Sequence, residues 1–330
     1  MAFILNTRGH DDQRAGGPRG PGAALTWASD PVRIRPTDCR NARDGLSIDP
    51  AGPARPARAD RARRTRHGGG MMETTELRVR SRGTLSVRLL GPLDVSVDGI
   101  PIVLTPGRLR TLLAVLALSA GRAVSIESLA AVVWAHDDPP RNVRRSVQTY
   151  IARLRCALGE DAIRSGPAGY VLATDPERVD ALMFPRLLSM ASAAPDPATE
   201  RARLGEALSL WRGRPFDGVP SPWLAESKAP WLVERYLTAL ESRLDLDIAA
   251  GRYAELAVEL SELTARHPLR ESLWARLLIV LGRSGRRAEA LARYETIRTR
   301  IAGELGVDPD PTLQRLHADL LTIGAPRPSP

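Results

Sequence analysis

Cysteine is nearly absent from this chain: Cys39 and Cys156 are the two among 330 residues. They fall in segments of different character, and no second Cys or His stands at metal-ligand spacing from either. Neither a disulfide nor a zinc site is expected. Long apolar runs are also missing. The longest, Leu112 to Leu118, lies between Arg110 and Arg122, far short of the roughly 20 residues that cross a bilayer. The opening MAFILNTRGHDD has an apolar run too short for a secretory signal core and no basic region before it. These absences predict a soluble, cytoplasmic chain with no membrane contact. Catalytic frameworks are lacking as well: there is no GxSxG, no HExxH and no GxGxxG leading from strand to helix. His136-Asp137-Asp138 is the one compact His/carboxylate cluster, and its place beside Pro139 and Pro140 points to a turn rather than to chemistry. His10, His67, His267 and His317 are scattered. No enzyme, cofactor or metal is expected.

Lysine occurs once, as Lys228, among 47 basic residues, a bias that fits a GC-rich genome. The formal charge of +9 is informative only once located. Residues 1–82 hold sixteen Arg against nine acidic residues, 83–178 hold eleven against nine, and the remainder balances. The excess therefore sits mostly in a Pro-, Gly-, Ala- and Arg-rich segment with no sustained period, which predicts a disordered basic tail over 1–82. Met71 and Met72 follow Gly68 to Gly70 just before the first folded pattern, so translation starting at either one is a second reading of that tail.

Order is expected from Thr84. LSVRLLG, LDVSVDG and IPIVL alternate apolar and polar residues between Gly and Pro breaks, the pattern of three short antiparallel strands. Thr105 is expected to cap a helix with Pro106 at its first position, running to Gly121, and Ser125 to cap a second, SIESLAAVVW. A third helix follows Pro140 and stops at Gly159; DAIRS and GYVLAT then flank a Gly- and Pro-rich turn, as a hairpin does. Strands, three helices and a terminal hairpin make a winged helix-turn-helix over 83–175. From Val179 to about 324 the chain reads as helical. Gly251-Arg252-Tyr253-Ala254-Glu255 returns 34 residues later as Gly285-Arg286-Arg287-Ala288-Glu289, the tetratricopeptide (TPR) period. The fold class is thus mainly α with a small β part, a winged helix-turn-helix followed by a TPR-like helical repeat domain. Trp211, Trp223, Trp231, Trp274, Tyr236 and Tyr294 stand at spacings typical of its core rather than of a binding surface.

The third helix carries the functional signal. Around Val147, the residues Val143, Ile151, Leu154 and Leu158 fall within about 40° on a helical wheel and form one apolar stripe. Arg145, Thr149, Ala152 and Cys156 lie opposite, flanked by Arg144, Gln148, Arg153 and Arg155. From Asn142 to Leu158 there is no carboxylate. Arg pairs bidentately with guanine and Gln with adenine, flanking Arg residues neutralise phosphates, and a helix fits the major groove. Such a face suits DNA, although solvated Arg-rich helix faces are common.

These blocks together resemble the Streptomyces antibiotic regulatory proteins in their short form, an OmpR-type winged helix followed by a bacterial transcriptional activation domain. The resemblance covers about Leu85 to Leu321. It rests on LLGPLDVSVDGIPIVL, LRTLLAVLALSAGRAVSIESLAAVVW, SVQTYIARLRCALG followed by GPAGYVL, LSLWRGRPF, and the run from GRYAELAVELSEL to GELGVDPDP. It implies a transcriptional activator that binds tandem direct repeats in double-stranded DNA as a dimer and recruits RNA polymerase holoenzyme at secondary-metabolite genes. Carried over by position, Arg145, Gln148, Thr149 and Ala152 would face bases; Arg144, Arg153 and Arg155 would hold the backbone, and Arg164 in the wing would reach a minor groove. Arg145 stands where many members have Asn, and Ala152 where many have Ser, so base preference is not transferable. No GxxxxGK[ST] is present and the first 82 residues lack receiver-domain strands, so neither ATP control nor phospho-aspartate switching is expected. The rival readings are a helical-repeat scaffold whose Arg face meets an acidic protein, and a repressor of the same fold.

Overall fold

The computed structural model describes residues 84–135 and 137–322. The basic tail, Met71, Met72, Cys39 and His136 lie outside the described residues.

Three strands open the described chain: β1 (Leu85–Arg88), β2 (Asp94–Val97) and β3 (Ile100–Pro101), antiparallel in that order, with Leu85 opposite Val97 and Val87 opposite Val95. Alternation buries Leu85, Val87 and Val95. Asp98-Gly99 closes the second hairpin at φ 53° and 79°, the two-residue turn whose twist matches the strands it joins. β3 is shorter than the five-residue IPIVL pattern suggested, and the pairing ends just past it with the Ile102 N–H donating to the Val95 carbonyl at 2.8 Å.

Helix α1 (Gly107–Leu118) begins later than Thr105 would place it. Pro106 takes the cap position in an extended conformation, without a side-chain cap, and its carbonyl accepts from the N–H groups of Leu109 and Arg110. For α2 (Ile126–Val133), the Ser125 hydroxyl accepts from the Ser128 N–H, as expected of a cap. α3 (Val143–Leu158) starts at Asn142, whose side chain accepts from the Arg145 N–H at 2.9 Å, and stops at Gly159 with φ 100°. β4 (Ile163–Gly166) and β5 (Gly169–Leu172) then pair antiparallel around Pro167-Ala168.

Seven helices follow: α4 (Asp180–Ser192), α5 (Pro197–Ser209), α6 (Ala229–Ala249), α7 (Tyr253–Arg266), α8 (Glu271–Arg283), α9 (Arg287–Leu305) and α10 (Pro311–Thr322). The 34-residue repeat has a matching backbone geometry. Gly251 and Gly285 both sit at φ 76°, and each is followed by an Arg whose N–H bonds back to the helix just ended, Arg252 to the Asp247 carbonyl and Arg286 to the Leu281 carbonyl. Trp274 and Tyr294 are core residues, Trp211 and Tyr236 are half-buried with ring centroids 4.6 Å apart, and Trp231 is exposed. Among the described residues, no helix is long and apolar enough to cross a membrane.

One hydrophobic core runs through the winged helix and on into Phe184, Leu187, Phe216, Leu224 and Leu232, while a second occupies α6–α10. The seam between the winged helix and the helices is closed by backbone bonds. Arg212 and Phe216 donate their N–H groups to the carbonyls of Leu90 and Leu89, each at 2.8 Å, and Leu93 donates to Asp217 at 3.0 Å. Asp180, buried at the start of α4, accepts from the N–H groups of Leu89 (2.6 Å), Leu90 (3.0 Å) and Ala181 (2.7 Å), with Arg212 at 3.8 Å. Cys156 is exposed on α3.

Candidate nucleic-acid interface

α3 is seated by its apolar stripe. Val147, Ile151, Leu154 and Leu158 are buried, with Val143 half-buried, and the helix packs against α1 and α2. The approach to the helix is also fixed. Trp134 stacks on Tyr150 at 6.1 Å, Arg108 lies over Trp134 at 6.0 Å, and the same guanidinium pairs with Asp137 at 3.1 Å. Asp137, from the His/carboxylate cluster, thus has a partner that holds a loop.

The opposite face is open. Arg144, Arg145, Gln148, Ala152 and Arg153 are exposed and Thr149 is half-exposed, its hydroxyl donating to the Arg145 carbonyl at 2.9 Å. Arg164 is exposed on β4. Arg155 differs from the other arginines of the set. It is half-buried, and it donates through Nε to the Ile163 carbonyl at 2.8 Å and through Nη2 to Ser165 Oγ at 2.7 Å.

Among the described residues, Arg144, Arg145, Arg153 and Arg164 form no ion pair. The helical region shows the contrast: Arg243 pairs with Asp247 and Glu259, Arg270 with Glu234 and Glu241, and Arg276 with Glu241 and Asp245. These three arginines are used internally. On α3 and the wing, these four guanidiniums have no such carboxylate partner among the described residues. Glu127 stands beside this face. Its carboxyl is held below the usual range by its own backbone N–H and by Ser125, with a contribution from Arg144.

Sequence reasoning missed part of this surface. Ser125, Glu127, Arg144 and Gln148 together with Ser165–Tyr170 of the wing line a shared groove. β5 reaches that groove because Val124 and Tyr170 exchange two backbone bonds of 2.8 and 2.9 Å. Gly169 permits the approach: at φ 123°, a Cβ there would stand 2.0 Å from the Val124 carbonyl oxygen. The GPAG turn was the available signal, but the segment it touches lies over forty positions upstream.

Comparison with known proteins follows the same division of the chain. A family described as transcriptional regulatory protein, C terminal, matches residues 99–172, and one described as bacterial transcriptional activator domain matches 179–321. Regulatory protein DnrI of Streptomyces peucetius is 35% identical over 251 residues, covering 72% of this chain and 92% of DnrI. The chain belongs to the Streptomyces antibiotic regulatory proteins. Regulatory protein AfsR of Streptomyces coelicolor is 40% identical over 245 residues, 72% of this chain, which spans 24% of that longer protein. The structure is similar to that of Mycobacterium tuberculosis EmbR in complex with a low affinity phosphopeptide, with TM-score 0.66 and 31% identity over 72% of this chain and 65% of that one. This family is one of transcriptional regulators, not of enzymes.

Proposed function

We propose that this chain is a sequence-specific DNA-binding transcriptional activator of a secondary-metabolite gene cluster. In this reading it acts in the cytoplasm at the nucleoid, binds tandem direct repeats as a dimer on DNA, and recruits RNA polymerase holoenzyme. α3 lies in the major groove with Arg145, Gln148, Thr149 and Ala152 toward base edges. Arg144 and Arg153 hold phosphates, and Arg164 reaches from the wing to a minor groove.

One observation carries the reading: Arg144, Arg145, Arg153 and Arg164 are exposed and form no ion pair among the described residues, whereas most arginines of the helical region are matched to carboxylates. A solvated face that merely kept the chain soluble would have no reason to exclude every acid from Asn142 to Leu158. Positive charge concentrated on a helix of groove-fitting width favours a polyanion, and the Gln and Arg donors favour base edges.

A gel-shift assay with DNA upstream of the gene and of its neighbours tests this. Retardation of particular fragments that survives competitor DNA supports it. Weak and equal binding of every fragment favours the scaffold. A reporter in a deletion strain separates the remaining rival, since loss of an activator lowers expression and loss of a repressor raises it.

A further inference from the structure

We propose that Arg155 is a positioning residue that locks the wing to the reading helix and so fixes the span between the face of α3 and Arg164. The proposal rests on the DNA-binding reading and refines it: Arg155 acts through the wing rather than by holding a phosphate.

The wing is anchored along two lines. β5 is joined to the segment before α2 by backbone hydrogen bonds, through the paired bonds of Val124 and Tyr170 and the Gly121 N–H, which donates to the Leu172 carbonyl at 3.1 Å. Besides the buried Ile163, which shares the core with the apolar stripe of α3, β4 is tied to α3 among the described residues by side-chain hydrogen bonds from Arg155. Arg155 reaches it with two donors, one to the Ile163 carbonyl and one to the Ser165 hydroxyl. These acceptors flank Arg164. Successive strand residues point to opposite faces, so Ile163, which is buried, and Ser165 share one side and Arg164 takes the other. Gripping the strand by that side turns Arg164 outward. A planar guanidinium suits the task because its donors form a rigid fork that spans two acceptors, which a single ammonium cannot do. With both anchors in place, the two DNA-contacting elements move as one body, and DNA must match their separation.

The test is a set of variants in the full chain, R155A, R155K, S165A, R164A and the double R155A/R164A, each checked for an unchanged main thermal transition. In DNA-free protein, amide hydrogen exchange of residues 163–169 should quicken in R155A and R155K, partly in S165A, and stay unchanged in α1. On a retarded promoter fragment, R155A and R155K should each weaken binding by about as much as R164A, on the order of fivefold. The double variant should lose no more than R164A alone, because both changes remove one contact. The salt dependence should fall by about one phosphate in single and double variants alike. R155K restoring affinity, or losses that multiply in the double variant, would show a direct phosphate contact and overturn the proposal. Unchanged exchange in R155A would overturn it regardless of DNA. Failure of the wild type to prefer any fragment would instead count against the DNA-binding reading, with the exchange result still deciding the strut.

Discussion

Replacing Asp180 by Ala should loosen the seam between the winged helix and the helical region, and its cost follows from what the carboxylate holds. Asp180 is 6% exposed, and the two N–H groups it accepts from across the seam belong to Leu89 and Leu90, both fully buried. Each N–H left without a partner costs about 1–3 kcal/mol. Part of that is offset, because burial pushes the Asp180 carboxyl above its usual range despite the backbone N–H groups and the Arg212 charge. The substitution relieves that penalty, so the expected net loss is about 3 kcal/mol, or a fall in Tm of about 6–12 °C for a chain of this size. The sign of the pH dependence follows from the same shift. The folded state holds this proton more readily than the unfolded one, so the stability the group contributes falls as pH rises from the ordinary carboxyl value through the raised one. D180N should abolish that slope. Because one core crosses the seam, denaturation followed by Trp fluorescence and by loss of DNA retardation should shift together. A loss below about 1 kcal/mol, or two transitions that separate, would refute the reasoning.

Other perturbations give sharp expectations. Arg145→Ala and Gln148→Ala should each cost about 1–3 kcal/mol on the preferred DNA and relax sequence preference, whereas Arg153→Ala should weaken all fragments alike; competition assays on matched and scrambled sites measure both. Gly169→Ala should displace the wing, since its Cβ would collide with the Val124 carbonyl. A destabilisation of about 2 kcal/mol or more in thermal melts is expected, and wild-type stability would mean the close approach is not needed. Asp247, buried with Arg201, Arg243 and Arg252, is subject to a burial penalty, but the Arg201 bond and the surrounding charges outweigh it and hold its carboxyl below the usual range. Its stabilising contribution is therefore present above the unfolded carboxyl value, about 3.9, and is lost as pH falls through the lower folded value. D247N should flatten that acid limb, and D247A should cost about 2 kcal/mol at neutral pH after allowance for the half-exposed Arg201 and Arg252. Acid titrations of far-ultraviolet circular dichroism read both effects.

Much of the winged helix was legible because its signals are local. The stripe from Val147 to Leu158 needs only a 3.6-residue period, Ser125 and Asn142 mark helix starts, and GPAG marks a turn. The 34-residue echo of Gly251 at Gly285 marks a repeated helix start. What the sequence hid depends on distant partners. A wheel gives the direction in which Arg155 leaves α3 but not the strand its guanidinium meets, and the wheel alone groups it with Arg153. Asp180 looks like an ordinary first-turn acid; its bonds to Leu89 and Leu90 span some ninety positions. Thr105 had the composition of a cap, yet the extended Pro106 after it delays the helix to Gly107.

The central claim is that the exposed face of α3 occupies a major groove. Methylation interference at guanine N7, an atom that lies in that groove, tests it most directly on a fragment the protein retards. The account predicts that methylating specific guanines blocks wild-type binding and that R145A becomes insensitive at one of them. Binding unaffected by N7 methylation at every guanine, with interference confined to minor-groove positions, would contradict it.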